Sequence, residues 1–99
     1  MVSIIVSGRV YALSRGTARW LASRLRAVYA AETTLDAHTA YQLAWQLEDT
    51  LEGRRESPLE LDLPHVEPVL TVIHTGRFPP SPALIALQDA LRRLRLEED

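Results

Sequence analysis

The chain has 99 residues, 46% of them apolar and 24% charged, with a net charge of −2, which is the size and make-up of one globular domain with a buried core. It contains no cysteine, which excludes disulfides, cysteine-ligated zinc and thiol catalysis, and no lysine, which excludes Schiff-base and P-loop lysine chemistry. The apolar start is too short for a secretion signal and has no basic residue before it. No stretch approaches the roughly 20 apolar residues of a membrane span, so a cytoplasmic protein without a membrane partner is expected.

Val2 to Leu13 is rich in β-branched residues and is interrupted by Ser7-Gly8. Gly8 can supply the positive φ of a tight turn, so the pattern predicts a hairpin with strands at 2–6 and 9–13. One longer strand with a bulge at Gly8 is the alternative. Ser14 is a good N-cap for a helix over about 15–31, whose apolar stripe is Ala18, Leu21, Ala22, Leu25, Val28 and Tyr29. Thr33 and Thr34 break this helix and cap a second one, which runs to Leu51 and stops at Gly53; its stripe is Ala40, Leu43, Ala44, Leu47 and Leu51.

After a polar connector, residues 58–62 alternate as a short strand. Pro64 suits the first turn of a third helix over about 64–74, with Val66, Val69, Leu70 and Ile73 facing inward and Gly76 closing it. Phe78-Pro79-Pro80-Ser81-Pro82 reads as a stiff loop. Ser81 and Pro82 open a fourth helix to about Leu96, lined by Leu84, Leu87, Leu91 and Leu94. The fold class is therefore α+β: four helices on a small, antiparallel sheet made of the hairpin and the strand near residue 60. The chain is expected to be a single domain, 1–99. Segments 9–53 and 58–96 match at a constant offset as a weak pseudo-repeat, a match that any two strand–turn–helix units with one buried face would also show.

Two features point to function. The first is aromatic. Trp20 lies about 140° round its helix from the core stripe, near Ala27, and Trp45 is displaced equally from the stripe of the second helix, flanked by His38 and Tyr41. These five residues are the candidate interface for a homodimer or a protein partner. Burial within one subunit is the other reading.

The second feature is charge. Residues 1–31 hold five Arg and no acid (+5), and residues 32–99 hold six Arg and thirteen acids (−7). Arg15, Arg19 and Arg26 fall within about 40° on the first helix, and Arg9 can join them from the strand, as a stripe able to grip phosphates. Arg92, Arg93 and Arg95 could add a second patch. Against a nucleic-acid partner, the second helix has no basic residue and carries Glu48, Asp49 and Glu52.

His38, His65 and His74 have no metal-ligand spacing, and no nucleophile or phosphate-loop motif is present. The expectation is a non-enzymatic, self-associating interaction or regulatory module without cofactor or metal. A nucleic-acid-binding regulator using Arg9, Arg15, Arg19 and Arg26 is the alternative. The arginine-only, Ala/Leu-rich composition is of the kind encoded by GC-rich bacterial and phage genomes.

Overall fold

The computed structural model describes residues 1–56, 58–75 and 81–98. Its elements are β1 (Val2–Val6), β2 (Arg9–Leu13), α1 (Arg15–Val28), α2 (Leu35–Leu51), β3 (Leu59–Leu61), α3 (Leu63–Thr75) and α4 (Pro82–Glu98). Gly76 and Phe78–Pro80, expected to close α3 and form a stiff loop, lie outside the described residues.

β1 and β2 form the hairpin, antiparallel from Val2↔Leu13 to Val6↔Arg9. Both residues of its turn have positive φ, Ser7 at 52° and Gly8 at 79°. A turn of that hand matches the twist of the flanking strands. Gly8 adopts it freely, whereas Ser7 carries the steric penalty of its Cβ.

The antiparallel pairing expected for the whole sheet holds for the hairpin alone. β3 lies on the other side of β1 and pairs with it in parallel, Ile4↔Leu59 to Val6↔Leu61, giving a mixed sheet in the order β2-β1-β3. The reason lies in the helices between. α1 and α2 run antiparallel, since Tyr41 meets Tyr29 and Arg26 meets Glu48. They return the chain to the end of the sheet where β2 finished. The next strand must then run opposite to β2, and it is parallel to β1 because it joins the β1 edge. β2 and β3 thus flank β1 on either side and point in opposite directions.

Each helix starts where a side chain takes up free backbone N–H groups. Ser14 Oγ accepts from Thr17 N–H (3.2 Å), Thr34 Oγ1 from Ala37 N–H (3.1 Å) and Ser81 Oγ from Leu84 N–H (3.2 Å). α3 starts differently. Asp62 N–H donates to His65 Nδ1 (3.0 Å), so imidazole fills the half of a capping box usually supplied by Glu or Gln, while His65 N–H donates to the Asp62 backbone carbonyl (3.0 Å).

α1 ends at Val28, earlier than its apolar pattern suggests. The Tyr41 hydroxyl donates to the Tyr29 carbonyl (2.9 Å), an acceptor that a continuing helix would use. α2 ends in a Schellman motif, with Gly53 at φ 79°, Gly53 N–H bonded to the Thr50 carbonyl (3.2 Å) and Arg54 N–H to the Asp49 carbonyl (2.9 Å).

One core joins the layers. On the inward face of the sheet Val2, Ile4, Val6, Leu13, Leu59 and Leu61 are buried, as are Leu21 and Leu25 of α1, Leu43 and Leu47 of α2, Val69 and Leu70 of α3, and Leu84, Leu87 and Leu91 of α4. α1 packs on α2, α2 on α3, α3 on α4, and α4 back on the hairpin. The opposite sheet face bears Val10 and Ala12, both exposed, and a half-buried Ile5.

Candidate functional site

α2 is completely buried along one side, where Ala37, Ala40, Leu43, Ala44 and Leu47 are at most 1% exposed. Its other side carries Leu35, His38, Gln42 and Trp45, all exposed, with Asp49 half-buried toward its end. Steps of three and four residues keep these five on one face. Trp45 is 59% exposed and Leu35, at the first helical position, is 87% exposed. His38 and Gln42, between them, are exposed as well.

The acids toward the end of α2 are partly neutralised. Glu48 receives Arg26 of α1, whose Nε lies 3.1 and 3.0 Å from the two carboxylate oxygens. This fork keeps the guanidinium charged, raising its pKa above the ordinary arginine value. Glu52 receives Arg54 at 2.8 Å, and Arg54 also stands 3.9 Å from Asp49.

The five aromatic-face candidates separate. His38 and Trp45 share the exposed side of α2. Tyr41 is half-buried, packed on the core, and its hydroxyl ties α2 to the end of α1. Trp20 is half-buried and also packs on the core. It sits about 120° round α1 from Arg26, which reaches α2, so its indole points away from α2 and does not join the Trp45 surface. Ala27 is exposed on the Trp20 side of α1. Leu35 and Gln42 were missed by inward-stripe reasoning, although the alternating spacing through 35, 38, 42 and 45 was available to find them.

The four arginines also separate. Arg15 Nη2 donates to the Leu51 carbonyl (2.6 Å) and Arg26 is held by Glu48, so both bind α1 to α2. Arg19 is exposed on α1. Arg9 lies on β2. It lines a depression of about 170 Å³ with Ser7 and Tyr11 of the hairpin and Arg93, Leu94 and Glu97 of α4. The fold thereby joins Arg9 to Arg93, which the sequence pattern assigns to a different patch.

The histidines are dispersed. His65 caps α3, and burial lowers its pKa. His74 Nε2 is 3.1 Å from Arg92 Nη2. Among the described residues no three His, Cys, Asp or Glu side chains are grouped to hold a metal ion, and no helix is long and apolar enough to cross a membrane. Comparison with protein-family models, curated proteins and solved structures finds no match to this chain.

Proposed function

We propose that this chain is a non-enzymatic protein-interaction module that self-associates through the outer face of α2. The observation that carries the reading is Trp45, 59% exposed on a helix whose opposite face is fully buried. Indole is the side chain with the most contact area to gain from a partner and is typical of interface hot spots. Leu35 and His38 extend the same surface, so the contact spans a helix face rather than one residue. The nucleic-acid alternative draws less support, because Arg15 and Arg26 are already engaged with α2.

Sedimentation equilibrium of the wild-type chain and of Trp45→Ala tests the reading. The wild type should pass from monomer to dimer in the micromolar range, as fits an interface of one helix per protomer. Trp45→Ala should stay monomeric, with the Tm of the wild type when both are measured at a concentration where the wild type is monomeric. A wild-type chain that remains monomeric up to about 200 µM would overturn micromolar self-association.

A further inference from the structure

We propose that the depression between the hairpin and α4 is a binding site for a small aromatic monocarboxylate, held by Arg9 and Arg93. None of the residues lining it belongs to α2, so the inference stands without self-association.

The first ground is where the sheet places Arg9. Val6 and Arg9 are directly opposed across the hairpin, and residues opposed in this way share a face. Val6 is buried on the inward face. Arg9, Tyr11 and Leu13 alternate along β2 on that same side, and Leu13 is fully buried. The inward side of β2 therefore passes from apolar Leu13 to half-buried Tyr11 to exposed Arg9. α4 packs on β2, and an apolar residue at position 9 would extend that contact. A guanidinium stands there instead.

The second ground is charge. α4 brings Arg93 to the same depression, so two cations far apart in the chain border one space of about 170 Å³. Arg26, Arg54 and Arg95 each meet a carboxylate, and Arg15 donates to a carbonyl. Among the described residues Arg9 and Arg93 have no hydrogen bond or ion pair. Glu97, one turn after Arg93, borders the depression and pairs with neither. Two like charges at one site repel, and an anion between them removes the repulsion. Guanidinium groups suit a carboxylate because their N–H donors match its two oxygens. Two arginines against one rim acid leave a single positive charge. That balance fits a monoanion, whereas Glu97 repels phosphate dianions and nucleic acid.

The third ground is the remaining lining. Buried Val6 and Ala90 and half-buried Leu94 supply apolar contact, and Tyr11 adds a ring and a hydroxyl. A cavity of about 150 Å³ takes up one benzene ring. The depression thus has room for one ring with its carboxylate directed to the arginines.

Benzoate is the probe. Added to the wild-type chain, it should shift the amide NMR signals of Arg9, Tyr11, Arg93 and Leu94, saturating with a Kd of about 1 mM, as suits a ligand of so few atoms in an open site. Arg9→Gln and Arg93→Gln should each weaken binding about fivefold or more, and Glu97→Gln should tighten it about threefold, since the rim acid competes for the arginines. All three positions are exposed, so each variant should keep the wild-type Tm. Benzamide, with the same ring and no charge, should bind the wild type about tenfold more weakly, and inorganic phosphate should also bind more weakly than benzoate.

Shifts that do not saturate, or that fall outside the depression, overturn the site. Equal benzoate affinity in the wild type and both arginine variants overturns recognition by the arginines, as does equal affinity for benzamide. Phosphate binding as tightly as benzoate overturns the monocarboxylate assignment.

Discussion

α1 and α2 each carry a tryptophan about 140° from the apolar stripe, and by periodicity alone the two are equivalent. In the folded chain they differ. Trp20 is half-buried against the core and Trp45 is mostly in water. The difference comes from what lies beside each helix. On α1, Thr17 is only 5% exposed although it stands about 60° from Trp20, so packing reaches round toward that indole. On α2, the half-exposed Tyr41 and Glu48 stand between Trp45 and the buried arc, and both already bind α1. An angle on a helical wheel shows that a residue is off the stripe; the neighbouring elements decide whether anything covers it.

Substitution separates the two tryptophans most sharply. Trp20→Ala should lower unfolding stability by about 2 kcal/mol in urea titration, below the range for a fully buried indole because the ring is only half covered. Trp45→Ala should change the stability of the monomer by less than about 0.5 kcal/mol. Equal losses at the two sites would break the comparison.

Spectroscopy sharpens it further. In Trp20→Phe, the remaining Trp45 should emit at longer wavelength than Trp20 does in Trp45→Phe, be quenched more strongly by acrylamide, and shift to shorter wavelength as protein concentration rises. An emission maximum that ignores concentration would count against a Trp45 interface.

The turn of the hairpin lies far from both indoles and isolates a purely conformational effect. A Cβ at Gly8 would touch nothing within 4 Å, so Gly8→Ala should cost about 1 kcal/mol from its positive φ alone. Ser7→Asn should regain a few tenths of that, since Asn tolerates this conformation better.

The smallest effect concerns pH. Burial depresses the His65 pKa, and in the neutral ring Nδ1 accepts the Asp62 N–H. The unfolded chain therefore takes up this proton more readily than the folded one. Stability should fall as pH drops below the ordinary histidine value of about 6.5, then level off below the depressed folded value. His65→Gln keeps an acceptor but does not titrate, so its Tm should change less than the wild type between about pH 7.5 and pH 5.5. An identical pH response in the two proteins would remove His65 as a source.

Much of the fold was legible because local chemistry sets it. Ser7-Gly8, Ser14, Thr34, Gly53 and Ser81 mark the turn and the helix ends with side chains or backbone freedom that act within a few residues. The buried stripes of α2 and α4 follow directly from periodicity. The placement of β3 was not legible. The α1–α2 pair fixes its direction relative to β2, but nothing in the local sequence says which edge of the hairpin it joins. The roles of Arg15 and Arg26 were hidden for a related reason: Leu51 and Glu48 lie far along the chain, and a basic stripe looks alike whether it faces water or another helix. His65 escaped because imidazole rarely takes the place of Glu or Gln at a helix start.

The parallel pairing of β3 with β1 also bears on the order of folding. The hairpin and the α1–α2 pair close through contacts near in sequence, which form early at little entropic cost. The second edge of β1 can be satisfied only after both helices have formed and carried the chain back to it. Until then Ile4 and Val6 border an open strand edge, the kind of surface on which partly folded chains pair with one another. The three residues Leu59–Leu61 are thus the latch of the sheet, and weakening them should slow folding and promote aggregation more than their number suggests.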